Sequence, residues 1–148
     1  MPRSIASLLA APWFARFACV VLTFCFWGSG LAKLADFEGA SAEMAFFGFH
    51  PPALVAALVI AVELLGSALI ILDRAAWLGA GMLATFTGLT ILLVHDFWNM
   101  TGPAATEHFY TATEHVTVVG AMMVAAVLSR RLRALPHPTA LPERVATA

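Results

Sequence analysis

Glu63 is the one carboxylate inside the apolar run Val55–Leu72, which is long enough to cross a bilayer as a helix. An ionisable side chain near the bilayer centre costs roughly 3 kcal/mol to insert. It survives when it faces a bundle interior, a water cavity or a partner. Glu63 is therefore either a satisfied interhelical hydrogen-bonding group or a handler of a proton, ion or ligand. Five further ionisable side chains lie near the ends of apolar runs: Lys33, His95, Asp96, Glu114 and His115. An ammonium, two imidazoles and two carboxylates can hold a polar ligand and pass protons. Trp27 and Trp98 would supply apolar walls. These eight residues are the candidate ligand or proton path, and the sequence names no catalytic residue.

No two of these groups have the spacing of a zinc motif, and no metal site is expected. His95, His108 and His115 would reach a soft or borderline metal only if the loop between them folded over. His50 and His108 otherwise read as exposed loop histidines. Cys19 and Cys25 share one apolar run. Six residues of helix separate them by about 9 Å along the axis, too far for a disulfide. They read as small apolar side chains. The chain carries no haem, flavin or iron–sulfur motif.

The elements that position these groups follow from composition. The 148 residues are 61% hydrophobic and 11% charged, with a mean hydropathy of +0.86. A soluble domain carries about 25% charged residues, so this is an integral membrane protein. The net charge of −1 gives no basic face for nucleic acid. The predicted fold is all-α: an antiparallel four-helix membrane bundle with a short interfacial helix between its first and second helices. Residues 1–16 form an N-terminal segment, 17–129 the four-span domain and 130–148 a tail. The spans run over Phe17–Asp36, about Pro52–Leu72, about Ala75–Val94 and about Tyr110–Ser129. Gly30-Leu31-Ala32 would pass as a signal-peptide cleavage site, but the sequence onward from Lys33 continues a four-span pattern.

Phe37–Pro52 mixes acidic residues with Phe46, Phe47 and Phe49, as an interfacial helix does. Pro51-Pro52 stops it, and Pro52 suits the first turn of the next helix. Asn99–Phe109 reads as a polar loop. Gly28, Ser29, Gly30, Gly66, Gly79, Gly81, Ala84, Gly88 and Gly120-Ala121 are small residues that permit close helix approach. Leu135–Ala148, with three prolines, is expected to be disordered.

Arg3, Arg16, Arg74, Arg130, Arg131, Arg133 and Arg144 fall on one side of such a bundle and only Lys33 on the other. The positive-inside rule then puts both termini and the Asp73-Arg74 turn in the cytoplasm. At about 1.5 Å per residue, Lys33 lies about 25 Å from the inner edge and Glu114 and His115 about 23–24 Å from it. Glu63 sits about 16 Å below the outer surface by the same rise. These groups stack along one outward-opening path. The loops above Lys33 are acidic, with Asp36, Glu38, Asp96 and Glu107. Lys33 either snorkels to the surface or contacts Glu114, with His115 or His95 completing the group; the contact is the expectation. Glu63 would then be reached only by an extended side chain or a water.

Trp27-Gly28-Ser29-Gly30-Leu31-Ala32-Lys33, Phe37-x-Gly39, Met44-x-x-x-Gly48, Val62-Glu63-Leu64-Leu65-Gly66 and His95-x-Phe97-Trp98-x-Met100-Thr101-Gly102 occur in order. Over roughly Phe14–Leu128 the chain resembles the DoxX family of small bacterial four-helix membrane proteins. It departs from that pattern at Glu114-His115, where members usually carry Lys-Asn. The resemblance implies a bacterial inner membrane. It also implies a link to quinones, since the family's name comes from association with a thiosulfate:quinone oxidoreductase and other members are tied to quinone or oxidative-stress responses. Three functions stay open. One is a redox-associated membrane subunit whose outward cleft binds a quinone or other small molecule, electrons coming from a partner protein. The others are a small-molecule or proton-coupled carrier, which at this size would need to form a homo-oligomer, and a non-catalytic scaffold.

Overall fold

The computed structural model describes residues 1–133. The predicted tail, Leu135–Ala148, lies outside the described residues. Seven helices follow in order: α1 (Arg3–Leu9), α2 (Pro12–Leu22), α3 (Phe24–Ala35), α4 (Phe37–Phe46), α5 (Pro52–Ile71), α6 (Ala76–Leu93) and α7 (Gly102–Arg133). A single 3-10 turn, Phe97–Asn99, joins α6 to α7. No strand occurs among the described residues.

Three helices are long and apolar enough to cross a membrane, or up to four if the bent pair α1–α2, with 65° at its break, counts as one span. Large apolar side chains are exposed along all three, among them Leu58, Leu65, Leu89, Leu92, Val124 and Val127. Such a surface suits hydrocarbon and not water.

The second and third predicted spans correspond closely to α5 and α6. Pro52 occupies the first turn of α5, where its missing N–H would have no partner in any case. Asp73 and Ala75 adopt left-handed backbone at φ 50° and 55° and reverse the chain within four residues, so α6 returns alongside α5. The helix expected between the first two spans is α4, shorter than predicted: it ends at Phe46, where Gly48 turns the chain at φ 78°. Asp36 caps it by accepting from the Gly39 N–H at 2.9 Å.

Elsewhere the chain departs from the expectation. Phe17–Asp36 is not one helix but α2 and α3, broken at Thr23. Thr23 is fully buried, and its hydroxyl donates to the Cys19 carbonyl at 2.8 Å. The Trp27 indole N–H donates to the Val20 carbonyl at 3.0 Å, across the break. Residues 1–16 are mostly helical, in α1 and the start of α2. The polar loop is shorter than expected because α7 begins at Gly102, which takes Thr106, Glu107 and His108 into the helix.

The order of packing decides the rest. α3 and α4 both lie against α5, α5 against α6, and α6 against α7, while α3 has no extended contact with α7. Glycines allow two of these approaches. A Cβ at Gly79 would stand 2.5 Å from the Gly66 carbonyl oxygen, and one at Gly30 would stand 2.9 Å from Leu64. Gly28, with only the Phe24 ring near it, and Gly81, Gly88 and Gly120, with nothing within 4 Å, are not close-packing positions in the monomer. Phe26, Ile70, Ala80, Leu83 and Met122 form the core at one end of the molecule. Ala40, Met44 and Ala56 form a smaller one where α4 meets α5.

Candidate functional site

Between these two cores a cavity of about 590 Å³ opens in the gap that separates α3 from α7. Its walls come from α3, α4, the first half of α5, the second half of α6 and the middle of α7. Phe26, Phe47, Phe49 and Phe86 are aromatic wall residues.

The polar floor is built by α3 and α5. Ser29 and Lys33 are four residues apart and so share one helix face. Gly30 lets that face approach α5: a Cβ there would come within 3.3 Å of the Glu63 Cβ. Glu63, 3% exposed, takes the Ser29 hydroxyl on Oε1 at 3.1 Å and the Lys33 ammonium on the same oxygen at 3.5 Å. Lys33 Nζ also donates to the Ser29 hydroxyl oxygen. The other carboxylate oxygen, Oε2, is buried without a hydrogen-bond partner. The neighbouring hydroxyls of Ser67, Thr87 and Thr90 donate to carbonyls of their own helices.

Lys33 therefore pairs with Glu63, not with Glu114 as expected. Contact between Lys33 and Glu114 would need α3 to touch α7, and the two helices instead line the cavity without extended contact. Glu63 is reached by an extended side chain, that of Lys33 itself.

The rim carries the histidines. His95 Nδ1 and His108 Nδ1 lie 3.3 Å apart, and the His95 and His115 ring centroids 5.0 Å apart. The segment after α6 does fold over α7 here. Among the described residues, no group of three or more His, Cys, Asp or Glu is arranged to hold a metal ion. Of the eight candidates, Lys33, Glu63, His95, Glu114 and His115 line the cavity, with Glu114 exposed at its edge. Asp96 accepts instead from the Asn99 amide at 3.1 Å. Trp98 is exposed and stacks edge-on with Phe97. Trp27 packs on Phe24 and spans the Thr23 break. Neither tryptophan is a cavity wall.

Ser29, Glu43 and Cys25 line the cavity without having been singled out. Cys25, Ser29 and Lys33 repeat at four-residue spacing, and that spacing was the available signal for Cys25 and Ser29. Nothing in the sequence turns Glu43 toward Glu63 and not toward solvent.

The DoxX family profile matches residues 8–96. The chain belongs to the DoxX family. Lys33, Glu63 and His95 fall inside the segment that matches DoxX, while Glu114 and His115 lie beyond it. Inner membrane protein YphA of Escherichia coli (strain K12) is similar, with 28% identity over 113 residues that cover 76% of this chain and 79% of that protein. No solved structure matches the chain. The protein is thus a membrane protein of the DoxX family with a polar group buried at the base of an apolar cavity.

Proposed function

We propose that this protein is a redox-associated subunit of the bacterial inner membrane whose cavity holds a quinone-like ring molecule. The observation that carries the reading is the cavity itself. At about 590 Å³ it falls within the range of small-molecule sites, which are mostly apolar with a few convergent polar groups. Phenylalanine walls suit a flat ring. Lys33 and Ser29 suit an oxygen substituent, and Glu63 suits a proton acceptor beside them. Electrons would come from a partner protein, since the chain has no motif for a redox centre of its own. A scaffold that used Glu63 only to fix helix register would have no need of a cavity at that residue.

Thermal stability in detergent tests the reading. Decylubiquinone should raise the unfolding midpoint of the purified protein by several degrees, as a ligand bound at about 100 times its dissociation constant stabilises by about 2.7 kcal/mol. The cavity-filling substitution Val59→Trp should abolish the rise. Absence of any rise in the unsubstituted protein would leave the scaffold reading in its place.

In the same proposal, α2 and α3 together make the first of four crossings, α1 lies at an angle on the cytoplasmic surface, and the cavity opens outward. The seven arginines on one side motivate this arrangement. The inner membrane location is that of the relative. A cysteine placed at Ser4, with Cys19 and Cys25 replaced by alanine, should resist an impermeant maleimide added to intact cells. Labelling from outside would reverse the orientation.

A further inference from the structure

The cavity is unbalanced in charge. Three carboxylates line it, Glu43 from α4, Glu63 from α5 and Glu114 from α7, against one ammonium, Lys33. Lys33 is matched by Glu63 at 3.5 Å. Glu43 and Glu114 are exposed and have no ion pair among the described residues. They come from different walls of the cavity, one from α4 and one from α7. No arginine lines the space. With Lys33 matched by Glu63, the excess charge of the lining is negative, and a cleft with an excess of one sign and low-dielectric walls focuses its field on an entering ligand. Aromatic faces, here Phe26, Phe47, Phe49 and Phe86, attract cations and not anions. Beneath them, the buried Oε2 of Glu63 lacks a partner and favours positive charge or a donor on the ligand.

We infer that the cavity selects its ligand by charge: it takes an apolar ring bearing a cationic head group in preference to the same ring bearing an anion, with Glu43 and Glu114 as the specificity-determining residues. This inference rests on the proposed ring-binding role of the same cavity and adds the chemical class of the head group. An acidic ring compound, or a small inorganic anion, is excluded as the resident ligand.

The experiment uses three anthraquinones that differ at one ring position, carrying a trimethylammoniomethyl, a hydroxymethyl or a sulfonate group. Anthraquinone has no free ring position for thiol addition, so Cys25 does not interfere. Binding to the purified chain is measured in a non-ionic detergent at pH 8. The cation should bind on the order of tenfold more tightly than the sulfonate. In the double variant Glu43→Gln/Glu114→Gln the ratio of the two affinities should fall to about one-third or less of its original value. The ratio is the readout, because partitioning into the micelle is common to both proteins. Equal or tighter binding of the sulfonate overturns the inference, as does a cation preference that survives in the double variant. Binding of the neutral compound with no charge preference refutes the inference alone. Failure of all three to bind refutes it together with the ring-binding role.

Discussion

Lys33→Met is expected to lower the thermal midpoint of the detergent-solubilised protein more than Lys33→Met combined with Glu63→Leu does. In the native protein one Glu63 oxygen holds both Ser29 and Lys33, and the other holds nothing. Removing the ammonium leaves a carboxylate that is 3% exposed with one neutral hydroxyl as its partner. Breaking a buried pair from one side costs about 3–5 kcal/mol, whereas replacing both partners with apolar residues is often close to neutral. The Lys33 side chain is 20% exposed, so the loss should fall toward the lower end of that range. Midpoints of the two single variants and the double variant complete the cycle. Strict additivity would mean that Lys33 and Glu63 do not interact, and the polar floor of the cavity would lose its basis. The companion cycle of Lys33→Met with Glu114→Gln should be additive, since the cavity lies between those two residues.

The second large effect is at the crossing of α5 and α6. Gly79→Ala should destabilise by about 1–3 kcal/mol, as overpacking of a tight contact does. The new methyl would stand 2.5 Å from the Gly66 carbonyl oxygen and 2.9 Å from the Leu69 Cβ. A backbone oxygen cannot swing aside, so the helices must part. Leu83, fully buried and seated over Gly66, loses its fit with them. Gly81→Ala, two residues away, puts its methyl where nothing lies within 4 Å. The usual helix preference for alanine over glycine, about 1 kcal/mol, should then show as a gain. Thermal midpoints of the two variants check the pair. Equal effects would place the helix rotation in error.

Membrane character, the limits of α5 and α6, a short helix before α5 and the DoxX resemblance were all legible in the chain. Each rests on a local rule. Hydrocarbon admits long apolar helices, a proline suits the first turn of the helix it starts, and a family motif keeps its order; the end of α4 was misplaced, because Gly48 and not Pro51-Pro52 stops it. Lys33 and Glu63 were legible for the same kind of reason: charge at that depth is too costly to be left without a partner. A rise of 1.5 Å per residue also gave their depth.

Rotation about each helix axis and the order in which helices pack were decided only in three dimensions. In water, a helix announces its buried face by the spacing of its apolar residues. In lipid the face that meets hydrocarbon and the face that meets another helix are both apolar, so α5, α6 and much of α7 carry no such stripe. Gly66 and Gly79 could not be told from Gly81, Gly88 and Gly120 on that basis. Trp27 could not be told from a cavity wall until the break at Thr23 brought its indole to the Val20 carbonyl. Above all, the sequence placed Lys33 and Glu114 at one depth without showing that α3 packs on α5 and stands apart from α7. Depth is a property of one chain segment and its length, but pairing depends on which faces meet, and that was settled by the close approach at Gly30 which brings Lys33 to Glu63.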